Sequence, residues 1–392
     1  MVKDKKKWIK NAIIYHILID RFSGNISKYN WDKPNFLGGT IKGIIDKIPY
    51  LQNLGVNTLW ISPFYRTNEY HGYHVTDFFN VDPHFGSKND IQDLITIVHE
   101  SNMKIIADFV PNHCSFQHPF FIDAQKNRNS KYHNWFHFLK WPDSYLSFLS
   151  IKDLPKLNLE NKDVREHIVQ SANYWLSFGF DGFRLDHAIG PSNKFWNYFS
   201  KNIKKKYPST VLIGEAWMQG IKFNELRTIK MNGKYLKWIK GNSSDYLLKA
   251  YQGLLDGVLD FHGQQLIQNY SFNHEHSIKD IVNILNNHYN KFNSNYILPL
   301  FLDNHDMNRI LFTCNNNKNI LKKMAMIQFS IKQPIIIYYG TEIGMTQQKS
   351  IWDTYNHGDI YARQPMQWNN IDEELFLFYQ NLCHKRSCKT ID

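Results

Sequence analysis

Gly182-Phe183-Arg184-Leu185-Asp186 is the stretch that decides how this chain folds. It is an apolar run, broken by one cation and ended by one carboxylate. Val211-Leu-Ile-Gly-Glu215-Ala-Trp217 has the same design, as do Pro299-Leu-Phe-Leu-Asp-Asn304-His305-Asp306 and Ile105-Ile-Ala-Asp108-Phe-Val-Pro-Asn112-His113. A near-continuous apolar run suits a strand covered on both faces, and parallel strands are the ones covered so. Carboxylates directly after such runs stand at the carboxyl ends of the strands, where barrels build their sites.

Working outward, similar runs recur along the chain. Strands are expected at Ala12–Asp20, Thr58–Ser62, Lys104–Val110, Gly182–Asp186, Val211–Glu215, Gly257–Phe261, Ile297–Leu302 and Pro334–Tyr339. Helical patterns separate them, at Ile41–Leu54, Ile91–Ser101, Lys162–Phe178, Pro191–Lys206, Ser277–Asn290, Asn319–Ile331 and Asp372–Lys385. Strand–helix alternation argues for βαβ units and a parallel sheet. Eight such units fit a closed (β/α)₈ barrel, the α/β TIM-barrel class, better than an open doubly wound sheet. No GxGxxG follows the first strand, which counts against a dinucleotide fold. One connection is long: from Pro111 to about Glu160 roughly fifty residues pass before helical periodicity resumes. That stretch holds Phe116, Phe120, Phe121, Tyr132, Trp135, Phe136, Phe138, Trp141 and Tyr145, enough to pack on itself. The expected organisation is therefore a discontinuous barrel, residues 1–110 and 161–392, with a small lobe at 111–160 inserted after the third strand. A second long loop, Gly340 to Trp368, follows the eighth strand.

The 392 residues are 43% hydrophobic and 15% aromatic, which supports a sizeable core and argues against disorder. Aromatic side chains also suit the apolar CH faces of pyranose rings, although many of the 22 Tyr and 27 Phe must simply be core. The net charge of +11 raises the question of a nucleic-acid partner. The lysines are scattered, however, with only Lys5-Lys6-Lys7 and Lys204-Lys205-Lys206 as runs, so no nucleic acid is expected. Cys114, Cys314, Cys383 and Cys388 form no CxxC pair and no disulfide framework. The basic start, Met1 to Lys10, runs into a strand-like segment rather than a signal sequence, and no apolar stretch reaches the ~20 residues of a membrane span. A soluble, cytoplasmic protein is expected; oligomeric state is not legible.

Two carboxylates about 5 Å apart are what retention at a sugar's anomeric carbon requires, one as nucleophile and one as proton donor. Asp186 is the candidate nucleophile. Arg184, two residues earlier on a strand, faces the same way and would keep it ionised. Glu215 is the candidate general acid/base, since its neighbours Ile213, Ala216 and Trp217 are apolar and desolvation favours a protonated carboxyl. Asp306 is a third acid, suited to sugar hydroxyls and to the charge of an oxocarbenium-like transition state. His113 and His305 lie beside strand ends and can donate to sugar hydroxyls. Each motif has a plain structural reading when taken alone: an ion pair, a surface Glu, a turn. Their joint occurrence at strand ends is what points to a site.

Taken in order, Asp108-Phe-Val-Pro-Asn112-His113, Gly182-Phe-Arg184-Leu-Asp186, Gly214-Glu215-Ala-Trp217 and Asn304-His305-Asp306 resemble the α-amylase family of retaining, α-glucan-active enzymes. His71-Gly72-Tyr73, Asp82-Pro-His-Phe-Gly86, Leu154-Pro-Lys-Leu-Asn158, Tyr339-Gly-Thr-Glu-Ile-Gly344 and Arg363-Gln-Pro-Met-Gln-Trp368 extend the likeness from Ala12 to about Lys385. The resemblance implies Asp186 as nucleophile, Glu215 as acid/base and Asp306 as transition-state stabiliser. It implies that Tyr73 stacks under the sugar, with His113, Arg184 and His305 completing that subsite. The chemistry needs no cofactor. Asn112 matches a ligand of structural calcium in many relatives, with Asp143 and Asp153 as candidates for further ligands. Relatives usually carry a β-sandwich domain after the barrel, and this sequence stops too early for one: either it is truncated, or its last helix is enough to close the barrel. Where starch-degrading amylases often carry Lys-His after the nucleophile, this chain reads His187-Ala-Ile-Gly-Pro191. Leu154–Asn158 and Arg363–Trp368 look most like neopullulanase, cyclomaltodextrinase and α-glucosidase members. The implied activity is hydrolysis of α-1,4-glucosidic bonds in maltodextrins or starch-like glucans. Transglycosylation by the same residues is one alternative, and an inactive barrel serving as a binding subunit is another.

Overall fold

The computed structural model describes residues 7–24, 31–217, 244–272, 275–353 and 358–388; Lys5 and Lys6 of the first basic run lie outside them. Eight parallel strands are present among these residues: β1 Ile13–Ile17, β2 Thr58–Ile61, β3 Lys104–Phe109, β4 Gly182–Leu185, β5 Val211–Gly214, β6 Gly257–Val258, β7 Leu300–Phe301 and β8 Ile335–Tyr338. Each falls inside an expected run. β6 and β7 are two residues long, shorter than the apolar runs that contain them.

The chain divides into two compact units. One comprises Met1–Ser62, His84–Ile105 and Leu259–Asp392. Its ladder runs β7-β8-β1-β2, all parallel, with Ile335 paired to both Leu300 and Ile13, and Ile14 paired to Thr58. Every position of these four strands is buried, which is why their sequences lack alternation. The expected helix Ile41–Leu54 is broken into Ile41–Ile45 and Ile48–Leu54. Pro49 is the cause: it has no N–H to donate and its ring clashes with the preceding turn, so it is tolerated only where a helix starts. Ile19 and Asp20, expected as the end of the first strand, belong instead to a helical turn, Ile19–Phe22. Phe261–Ser271 is a helix that the sequence did not announce. Asp260 caps it by accepting from the Gly263 amide at 2.8 Å. A Cβ at position 263 would stand 2.2 Å from the Asp260 carboxylate, so the glycine that reads as a breaker is what admits the cap.

The other unit comprises Pro63–Pro83 and Ile106–Val258, and its ladder runs β3-β4-β5-β6. Asp108 pairs with Arg184, Arg184 with Ile213, and Ile213 with Gly257. Helices Lys162–Leu176 and Asn193–Lys206 begin at Asn161 and Ser192, whose side chains accept from the first free amides. A hairpin, Tyr65–Thr67 with Val75–Val81, carries His71-Gly72-Tyr73 at its turn. Gly72 has φ +85°, and a Cβ there would lie 2.1 Å from the Pro63 carbonyl oxygen.

Residues 111–160 hold a helix at Pro119–Lys126, a 3₁₀ turn at His133–Trp135 and a short hairpin of Phe138–Lys140 with Ser144–Tyr145. Their aromatic rings pack on one another. Phe120 stacks on Tyr132 at 4.0 Å and meets Trp135 edge-on, while Phe121 does the same with Phe136 and Tyr145. Trp141 donates its indole N–H to the Ala124 carbonyl.

Candidate active site

Arg184 is the centre of the site. It is 1% exposed, and strand β4 places it beside Asp108 of β3. Its Nη1 donates to Asp108 Oδ1 and Oδ2 at 2.9 and 3.0 Å and to Asp186 Oδ1 at 2.8 Å. Its Nη2 lies 2.5 Å from Glu215 Oε1. One guanidinium therefore grips three carboxylates, which only a planar, forked cation can do. The two-residue period of the strand puts Arg184 and Asp186 on one face, as expected. The register does the rest: the ladder continues past the strands through Glu215 N–H to the Leu185 carbonyl, bringing Glu215 level with Asp186.

Glu215 is buried, as its apolar sequence neighbours suggest, yet its carboxylate also meets polar groups. Oε1 faces Arg184, and Oε2 accepts from the His187 backbone N–H at 2.9 Å. His187 directs that amide from a left-handed conformation, φ +45°, unusual for a residue with a side chain.

Tyr73 is nearly buried and donates its hydroxyl to Asp108 Oδ2 at 2.8 Å. Burial pushes the Asp108 carboxyl up to about 6; Arg184 and Tyr73 pull it down, and the Glu215 charge adds to the rise. Burial also opposes the Arg184 charge, but Asp108, Glu215, Tyr73 and Asp186 outweigh it and hold the guanidinium protonated. His113 is buried, and burial, with His74 adding, drives its imidazole down to about 3, so the ring is neutral. His187 is likewise held far below the usual range by burial, then by the Lys156 charge.

In the other unit, Asp306 follows β7 on a tight loop. Its own amide donates to Asn304 Oδ1 at 2.8 Å. Arg363 Nη2 donates to Asp306 Oδ1 at 2.8 Å and Arg363 Nε donates to the His305 carbonyl. His305 Nε2 lies 3.0 Å from Asp306 Oδ2, and its ring meets His16 edge-on. The Asp306 carboxylate is the most open of the three proposed catalytic acids, 28% exposed against 9% for Asp186 and Glu215.

Asn112, the expected calcium ligand, is 1% exposed, and its Oδ1 is a buried acceptor with no hydrogen-bond partner among the described residues. That oxygen is a fitting ligand, but its surroundings are not those of calcium. Calcium takes six to eight oxygens, carboxylates prominent among them. Asp143 and Asp153 are exposed, and no grouping of three or more acidic, His or Cys side chains among the described residues includes either. The adjacent Gly190 carbonyl accepts instead from Lys156 Nζ at 2.9 Å.

Residues 16–378 match the family model described as the catalytic domain of alpha amylase. The chain belongs to the alpha-amylase family. Among its relatives, Alpha-amylase 2 of Dictyoglomus thermophilum is 35% identical over 380 residues, covering 96% of this chain and 63% of that protein. A cyclomaltodextrinase of a Bacillus species is 29% identical, covering 97% of this chain and 66% of that enzyme. This alpha-amylase family chain thus spans just under two thirds of the length of these curated relatives. Among solved structures, a cyclomaltodextrinase superposes with TM-score 0.80 at 27% identity, over 98% of this chain and 64% of the other. The type III pullulan hydrolase of Thermococcus kodakarensis superposes with TM-score 0.78 at 26% identity, over 97% and 70%. The fold is accordingly the (β/α)₈ barrel.

Four residues with evident work were not singled out as site residues from sequence. Asp108 and Arg363 stand in the quoted motifs, and their partners emerge only when strand register and loop path are known. His187 acts through its backbone, which no residue type advertises. Lys156 sits in Leu154–Asn158 as one lysine among many; a lysine enclosed by apolar Leu154, Pro155 and Leu157 was the available signal.

Proposed function

We propose that this chain hydrolyses α-1,4-glucosidic bonds of maltodextrins with retention of anomeric configuration. The observation that carries the reading is the Arg184 fork, which contacts Asp186 and Glu215 at once. Carboxylates held by one guanidinium suit the roughly 5 Å spacing of a retaining pair. Asp186, ionised by the guanidinium, attacks the anomeric carbon and displaces the leaving oxygen. Glu215 delivers a proton to that oxygen, then removes one from the water that opens the glycosyl ester. Asp306, oriented by Arg363 and His305, is assigned to the positive charge of the transition state. Tyr73, His113, Arg184 and His305 are assigned to the sugar on the non-reducing side. A neutral His113 suits that task, since it can donate to one hydroxyl without adding charge.

Relatives named cyclomaltodextrinase and maltogenic alpha-amylase support a small α-glucan substrate. An intracellular maltogenic amylase of Bacillus subtilis among them supports a cytoplasmic setting, and no helix of the described residues is long and apolar enough to cross a membrane.

The test is proton NMR of the first product released from maltotriose, with the full product series analysed alongside. The α-anomer appearing first, with maltose and glucose as end products, is expected. The β-anomer first would refute a glycosyl–enzyme. Oligomers longer than maltotriose would reassign the acceptor from water to a sugar, and no turnover on any α-glucan would leave a binding barrel.

A further inference from the structure

Lys156 is 3% exposed, an unusual place for an ammonium. Its backbone is fixed beside the end of β3: His113 and Lys156 form a bridge, and Leu157 N–H donates to the Asn112 carbonyl at 3.0 Å. Its side chain reaches the loop after β4, where Nζ donates to the Gly190 carbonyl at 2.9 Å. Gly190 in turn packs directly on Asn112. A Cβ at position 190 would lie 2.1 Å from Asn112 Oδ1, so that amide oxygen rests against the glycine's α-carbon. Two buried oxygens from two strand-end loops and one buried cation therefore share one small space, all within the same unit. The charge of Lys156 reaches the imidazoles on both sides, His113 and His187.

A buried ammonium survives only where several acceptors surround it, and an uncompensated buried acceptor is costly too. Here the Gly190 carbonyl answers the ammonium, and the ammonium satisfies that carbonyl. A divalent ion at the same place would face two neutral oxygens and a like charge, and Asp143 and Asp153, the carboxylates expected to offset it, are exposed.

We propose that Lys156 is the resident cation of this junction, joining the Asn112 and Gly190 loops as a bound metal would, so that the chain needs no calcium there. The consequence is a built-in tether between the loop that carries His113 and the loop that follows Asp186. This does not depend on what reaction the site performs.

The experiment uses the full chain, its melting temperature read in millimolar EDTA, calcium chloride and magnesium chloride, and its calcium content measured after dialysis. Tm is expected to agree within about 1 °C across the three conditions, with substoichiometric calcium. Lys156→Met, which keeps the stem and removes the charge, is expected to melt roughly 3–8 °C lower in every condition, because it strands the Gly190 carbonyl and unties the two loops. Lys156→Met melting with the wild type would overturn the proposal. So would a chelator-induced drop, restored by calcium, that Asn112→Ala abolishes, or stoichiometric calcium that the same variant loses. Should Lys156→Met fail to fold, the wild-type and Asn112→Ala measurements still decide.

Discussion

Replacing Arg184 by lysine keeps the charge and removes the fork, which makes it the sharpest test of how the carboxylates are held. Arg184 Nη1 serves Asp108 and Asp186 while Nη2 serves Glu215. A lysine offers one compact nitrogen that cannot stand in both places. About two charge-assisted hydrogen bonds are lost, each worth roughly 1.5–3 kcal/mol, so a deficit of about 3–6 kcal/mol is expected in urea unfolding. The deficit must also depend on pH. Asp108 already titrates near 6 because it is buried, and losing Arg184 raises it further. A carboxyl whose folded pKa lies above its unfolded value stabilises the folded state at low pH and loses that contribution as pH rises through the folded pKa. The wild type completes its loss near pH 6, whereas the variant goes on losing stability above it. The Arg184→Lys deficit is therefore larger at pH 8 than at pH 6, by about 1.4 kcal/mol for each unit that Asp108 has risen. A deficit below about 1 kcal/mol, or one identical at the two pH values, would refute the shared-guanidinium argument.

Glu215→Gln should lower kcat by roughly 10²–10⁴-fold while maltotriose still binds, measured by steady-state kinetics and calorimetry; unchanged turnover would remove Glu215 from the chemistry. Arg363→Met should lower kcat/KM about 10–100-fold with a near-native melt, because Asp306 loses the group that aims it; a wild-type value would show that His305 suffices. Gly190→Ala places a methyl 2.1 Å from Asn112 Oδ1 and 2.7 Å from the His187 ring, and should cost roughly 1–3 kcal/mol in urea unfolding. A neutral result there would mean that the Asn112 side chain moves freely.

The eight strands were legible because burial on both faces writes a continuous apolar run. The site was legible where function falls on the residue just past such a run. Arg184 and Asp186 are the clearest case, since period two alone puts them on one face. What lay between distant segments was not legible. Asp108 and Arg184 are 76 residues apart, and only the pairing of β3 with β4 makes them partners. Helix boundaries failed where a single residue acts through backbone chemistry: Pro49 divides one expected helix, and Gly263 permits another by leaving room for the Asp260 cap. Glu215 was half legible: its apolar neighbours foretold burial, but its polar partners, Arg184 and the His187 amide, come from the adjoining strand and the loop after it.

Three carboxylates around one guanidinium leave an excess of negative charge, and burial makes that excess expensive to keep. The three acids carry that cost unequally. Asp108 is wholly enclosed, so water cannot help its ionised form, and burial pushes its carboxyl up to about 6. Asp186 and Glu215 keep slight exposure. His187 adds an amide to Glu215 alone, from a backbone conformation that would be discarded if it brought no gain. Burial thus ranks the three acids by depth: the deepest supports the arginine, while the two shallower ones remain available to a ligand. Asymmetric burial is what allows one arginine to serve a pair of reactive carboxylates and a structural one together.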